Sequence, residues 1–164
     1  MSDRQKIYLE TSVISYLVAR PSPDPEKAER QAYTLRWMNE FASQYDLYVS
    51  ELVYREAEQG DPEAAARRIE EIRQYKVVSA DENEVDALSL ELRNRHQIFE
   101  SAIADSTHIA ISAVAGFDVL LTWNCRHMAN LVALPKTVQV ITLCGYRCPQ
   151  ILTPRDFFTQ WEEG

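Results

Sequence analysis

Apolar and polar positions alternate along the chain in two registers, short β-branched runs and longer segments with helical spacing. Lys6-Ile7-Tyr8-Leu9 predicts a first strand. Thr11 or Ser12 follows as a helix cap ahead of Val13, Ile14, Tyr16 and Leu17. Pro21-Ser22-Pro23-Asp24-Pro25 breaks that helix, and a second is predicted from Glu26 to Gln44. Asp46-Leu47-Tyr48-Val49-Ser50 predicts a second strand, followed by a helix over Glu51–Gln59 that stops at Gly60. Asp61-Pro62 opens another helix, with Asp as cap and Pro in the first turn, running to Tyr75. Lys76–Ser79 reads as a third strand, and helices over Asn83–Asn94 and Glu100–Ala115 follow. Phe117–Thr122 and Thr137–Leu143 are the predicted fourth and fifth strands, with a short helix over Cys125–Asn130 between them. Thr153-Pro154-Arg155-Asp156-Phe157-Phe158 predicts a last capped helical turn.

Strands separated by helices imply parallel βαβ units with right-handed crossovers, hence an α/β fold with helices on both faces of one sheet. No internal repeat or shift of composition divides the chain, so residues 1–164 are expected to form one domain. In such folds the functional groups lie beyond the carboxyl ends of the strands.

Composition narrows the class. Among the 164 residues, only 4 Gly and 7 Pro argue against collagen-like or disordered chains, and no apolar run approaches the ~20 residues of a membrane span. The first residues show no apolar signal-peptide core, which predicts a soluble cytoplasmic protein. The net charge of −8 disfavours general counterion-release binding of nucleic acid. A site that gathers carboxylates around a divalent cation reverses the local field, so a nucleic-acid substrate stays open. The cysteines Cys125, Cys144 and Cys148 read as reduced thiols. Cys144-x3-Cys148 could be half of a zinc site but lacks a second ligand pair.

The strand ends carry the candidate chemistry. Glu10-Thr11-Ser12 follows the first strand without a Gly-rich phosphate loop, which argues against nucleotide cofactors. Glu10 is either a ligand or a solvated strand-end charge; Thr11 and Ser12 are helix caps that could also hold a phosphate. Glu51 and Glu56 lie five apart, about 140° round a helix, so only one can be a ligand. Glu56, four residues after Leu52, falls on the inward stripe. Asp105 interrupts an apolar helix, and a buried carboxylate is costly unless paired or coordinating a metal. His108 reads first as a packing histidine. Asn124 offers an amide oxygen to a cation or caps a turn, and Arg126 is the candidate phosphate contact. An oxygen-only ligand set favours Mg²⁺ or Mn²⁺ over Zn²⁺ and suits metal-assisted phosphodiester cleavage.

Four segments in order carry a family likeness: Ile7-Tyr8-Leu9-Glu10-Thr11-Ser12-Val13-Ile14, Val49-Ser50-Glu51-Leu52-Val53-Tyr54-Arg55-Glu56, Ala104-Asp105-Ser106-Thr107-His108-Ile109-Ala110 and Gly116 through Asn124. They resemble the PIN-domain family, and within it the VapC-like ribonuclease toxins of toxin–antitoxin pairs. The resemblance implies a three-layer α/β/α sandwich around a central parallel sheet, a Mg²⁺- or Mn²⁺-dependent endoribonuclease acting on RNA, a homodimer, and an antitoxin protein that masks the site. Carried over residue by residue, it makes Glu10, Glu56, Asp105 and Asn124 the catalytic set, with Glu10, Glu56 and Asp105 as metal ligands and Glu51 in reserve. Glu10 stands where the family has Asp, and Asn124 where it often has Asp. A catalytically weakened PIN-like protein acting by RNA or protein binding is the alternative; a metal phosphatase is not supported, because no Asp-x-Asp follows the first strand. If the groups around Glu10 are not built for the longer side chain, Glu10→Asp should raise Mg²⁺-dependent cleavage. Tyr33, Trp37, Phe41 and Tyr45 either supply part of a dimer surface or pack in the ordinary core of the chain.

Overall fold

Ile7, Tyr8 and Leu9 are wholly buried, which requires a strand covered on both faces. That strand, β1 (Lys6–Leu9), is the middle of a five-stranded sheet with β2 (Asp46–Val49), β3 (Lys76–Val77), β4 (Val119–Leu121) and β5 (Gln150–Leu152), in the order β3-β2-β1-β4-β5. All pairings are parallel, with Tyr8 opposite Tyr48 on one side and Leu120 on the other. The computed structural model describes residues 4–95 and 103–163.

The helices are α1 (Thr11–Val18), α2 (Pro25–Glu40), α3 (Glu51–Ala57), α4 (Pro62–Ile72), α5 (Glu82–Arg95), α6 (Ile103–Val114), α7 (Leu134–Leu143) and α8 (Pro154–Glu163). Crossovers run from β1 towards β2 and β3, then reverse through α5 and α6 to β4 and β5. Right-handed connections then put α1–α4 on one face and α5–α7 on the other, a three-layer α/β/α sandwich. In keeping with this, α2 packs on α1 and α8, while α5 packs on α6 and α7. No described helix is long and apolar enough to cross a membrane.

Several expectations change. Thr137–Leu143 is not a strand but the body of α7. Its β-branched content reflects packing of Thr137, Val140 and Ile141 at helical spacing, and Pro135 sits in the first turn, where it lacks no needed hydrogen bond. The fifth strand is the three-residue β5, bracketed by Pro149 and Pro154 and too short to show a period. Residues 125–128 form turns rather than a helix. The second predicted helix ends at Glu40 and continues only as a 3-10 turn, Ala42–Gln44. Glu100, the expected start of the helix that carries Asp105, lies outside the described residues.

The early aromatics do not form an open dimer face. Trp37 is wholly buried, and its ring meets Phe157 edge-on at 5.7 Å. Phe41 lies 5.1 Å from both Phe157 and Phe158. Helix α8 therefore covers this surface within the same chain. Phe157→Ala should cost about 3–5 kcal/mol. The check is urea unfolding at two protein concentrations, where an intrachain role leaves the midpoint independent of concentration.

Candidate active site

In an open parallel sheet the ligand crevice lies where crossovers change direction, here between the carboxyl ends of β1 and β4. Glu10 follows β1 at that point. Its backbone N–H donates to Leu121 O at 3.1 Å, which continues the sheet one residue further. The Glu10 side chain, only 6% exposed, folds back as the N-cap of α1. Its Oε1 accepts from Ser12 N at 3.1 Å, from Ser12 Oγ, and from Thr122 Oγ1 at 2.7 Å. Ser12 Oγ in turn accepts from Trp123 N at 2.8 Å, and Thr122 Oγ1 from Asn124 N at 3.0 Å. Hence Glu10 itself, not Thr11 or Ser12, caps the helix.

Ser50 ends β2 and caps α3, its Oγ accepting from Val53 N at 3.2 Å. That helix turns Glu56 inward and leaves Glu51 exposed. Glu56 Oε1 accepts from Thr11 Oγ1 at 2.6 Å and pairs with His108 Nε2 at 2.6 Å. Behind it, Tyr8 Oη lies 2.6 Å from His108 Nδ1 and 2.7 Å from Ser50 Oγ. A carboxylate only accepts, so His108 donates through Nε2. In the neutral ring Nδ1 then accepts from the Tyr8 hydroxyl, which accepts from Ser50.

The electrostatics follow from these contacts. Burial pushes the Tyr8 phenol far above its ordinary pKa; the Ser50 bond opposes this, and the charges of Glu10 and Glu56 add to it. Tyr8 therefore stays protonated and able to donate. Burial alone would raise the Glu56 carboxyl, but the His108 hydrogen bond and the charge that ring carries when protonated, with Thr11 and Arg55, outweigh it and hold the pKa below the usual value.

Glu10, Glu56 and His108 present ligating atoms within 4.8 Å of one another. Two ionised carboxylates at that spacing repel by about 3–4 kcal/mol at an effective dielectric near 20. Every hydrogen bond to either carboxylate arrives at Oε1; among the described residues neither Oε2 has one. Both His108 nitrogens are already engaged, so the atoms left for a cation are carboxylate oxygens. The residues thus fit a hard divalent cation.

Asp105 is outside that cluster. It stands one turn before His108 on α6, on the same helical face, and its Oδ2 pairs with His127 Nδ1 at 2.7 Å. Asn124 Oδ1 accepts from His127 N at 3.0 Å, the role of a turn cap. Arg126 is exposed beside them. Thr11 and Ser12, expected to hold substrate, direct their hydroxyl hydrogens at Glu56 and Glu10. Cys125 and Cys144 are exposed, Cys148 is partly buried, and no metal-ligating group of three among the described residues includes them. Sequence reasoning passed over Tyr8, Thr122 and His127. Tyr8 carried a usable signal, since a tyrosine inside a strand covered on both faces needs a partner for its hydroxyl.

Glu56 has a depressed pKa in the folded chain, so its charge contributes stability above the unfolded value of ~4.3. That contribution is lost as pH falls through the lower folded value. The stability gap between wild type and Glu56→Gln, measured by urea unfolding, should shrink as pH falls below about pH 5 through the lower folded value.

The comparisons with known proteins accord with this geometry. No curated protein matches the sequence. VapC20 of Mycobacterium tuberculosis, described as a Sarcin-Ricin loop cleaving toxin, superposes with a TM-score of 0.55 at 19% identity, covering 75% of this chain and 93% of that one. VapBC-1 from nontypeable Haemophilus influenzae gives 0.53 at 18% identity, covering 92% and 99%. Likeness at this identity establishes the fold. The PIN-domain family pattern matches residues 7–127, from the first strand through the turn beyond β4 that holds His127. Because that match takes in every strand-end group of the crevice, the chain belongs to the PIN-domain family.

Proposed function

We propose that the protein is a divalent-metal-dependent endoribonuclease, the cytoplasmic toxin of a toxin–antitoxin pair, using Mg²⁺ or Mn²⁺. The observation that carries this reading is the pair Glu10 and Glu56, each pinned through Oε1 and unengaged at Oε2, at the sheet's switch point. The names of the two structural neighbours support the toxin class and an antitoxin partner. Glu10 and Glu56 would hold the cation, with Asp105 contributing from the same face of α6 as His108. Bound there, the cation would supply charge neutralisation at the scissile phosphate and a water of lowered pKa. Ser12, Thr122 and Thr11 keep the two carboxylates in place, and the exposed Arg126 is the group able to meet the RNA backbone. Asn124 acts at the edge, bracing the turn that brings His127 to Asp105.

The binding-only alternative draws on the same edge. The amide oxygen of Asn124 is occupied by His127 N and replaces a charge. A protein that binds Mn²⁺ and RNA yet cleaves none of a structured panel would favour it. For the homodimer, the exposed Leu131 and Val132, at 85% and 89%, supply apolar surface to cover. Light scattering of the isolated chain decides between monomer and dimer.

Cleavage of a structured RNA panel with Mn²⁺ tests the main reading. Glu10→Gln, Glu56→Gln and Asp105→Asn should each lower the rate by on the order of a hundredfold, and a chelator should abolish it. Glu10→Asp should lower activity rather than raise it, because Ser12 and Thr122 are arranged around the longer side chain. Cleavage that survives both chelation and Glu10→Gln sinks the proposal.

A further inference from the structure

His108 is wholly buried and bonded at both ring nitrogens, yet the reaction outlined above assigns it no part. Its neighbours give it one. Tyr8, in the central strand, fixes Nδ1; Ser50, at the end of β2, fixes Tyr8; Val53 N, in α3, fixes Ser50. The line Val53–Ser50–Tyr8–His108–Glu56 therefore starts and ends on α3, passing through the sheet and α6. It forms a closed polar loop through three elements, with Tyr8, Ser50 and His108 between 0% and 3% exposed. Such a loop has little room to relax, since each member is held by close-packed surroundings.

The loop terminates on one atom. His108 Nε2 and Thr11 Oγ1 both meet Glu56 at Oε1, each at 2.6 Å. Glu10 is treated alike, with Ser12 and Thr122 converging on its Oε1. Each carboxylate is thereby restricted to one oxygen for any cation. Ca²⁺ takes six to eight oxygens and commonly claims both oxygens of a carboxylate, whereas Mg²⁺ is octahedral and is held through one or two carboxylates plus waters. Mn²⁺ suits the same octahedral oxygen sets.

We propose that His108, braced by Tyr8, is a positioning and metal-selecting residue: it makes Glu56 a one-oxygen ligand and so favours small octahedral cations over Ca²⁺. The inference rests on the nuclease reading for its purpose, but on hydrogen-bond geometry for its content.

The test is calorimetric titration of the intact chain with Mn²⁺ and with Ca²⁺, paired with RNA cleavage. His108→Phe removes both hydrogen bonds, His108→Gln restores a donor towards Glu56, and Tyr8→Phe removes only the brace. Circular dichroism checks that each variant folds, and Tyr8→Phe, which deletes a single oxygen, keeps the test decisive if His108→Phe does not. The wild type should bind Mn²⁺ in preference to Ca²⁺. His108→Phe should narrow the ratio of affinities by about tenfold or more, the usual scale for groups that orient a ligand. Tyr8→Phe should narrow it less, and His108→Gln should recover most of it. A purely structural histidine would leave the ratio untouched, so an unchanged ratio in folded Tyr8→Phe and His108→Phe overturns the inference while leaving the nuclease reading intact. A wild type that binds neither cation overturns both.

Discussion

A carboxylate at the end of a strand buried on both faces has to be met by donors, and the site is built around that requirement at Glu10. Desolvating the ion costs several kcal/mol. Hydrogen bonds to a charged group return about 1.5–3 kcal/mol each, so three on one oxygen are of the size needed to offset the burial. Two of the donors belong to the helix that follows β1, and the third to the residue that follows β4. Satisfying Glu10 therefore ties together the two strand ends that flank the crevice. What it does not offset is Glu56, a second negative charge within 4.8 Å.

That residual repulsion is where fold and chemistry meet. The parallel sheet delivers the ends of β1, β2 and β4 to one edge, and the reversal of crossovers opens the edge between β1 and β4. The three strand ends contribute Glu10, the Ser50 cap of α3, and Thr122. Helix α6, arriving from the other layer, adds His108 and Asp105 one turn apart. A chain with a net charge of −8 thus concentrates negative charge at the edge where a divalent cation would have most to gain.

The two acidic groups of α3 and α6 are each paired with a histidine, but differently. Glu56 meets a buried imidazole fixed on its far side by Tyr8. Asp105 meets His127, on a turn held by Asn124, so its imidazole is partly exposed where that of His108 is buried. The uncharged residue in the fourth place keeps an architectural task even where it adds no charge.

Local pattern was enough for much of this molecule. The alternation of β-branched runs with helical spacing specified an α/β chain and its first four strands, because buried parallel strands must be continuously apolar. The strand-end positions of Glu10 and Asn124 and the inward stripe of Glu56 followed from the same periodicities. Periodicity failed at Thr137–Leu143, where β-branched residues serve a helix, and at β5, too short to have a period. It also placed Tyr33, Trp37, Phe41 and Tyr45 on one surface without revealing that α8 covers it. Above all, the sequence named the carboxylates without their partners. Tyr8, Glu56 and His108 are 48 and 52 residues apart along the chain, and Glu10 and Thr122 are 112 apart. Spacing along a chain reports which face of one element a side chain occupies; only the packing of α1 and the end of β4 around Glu10, and of α1 and α6 around Glu56, decided which oxygen of each carboxylate is held.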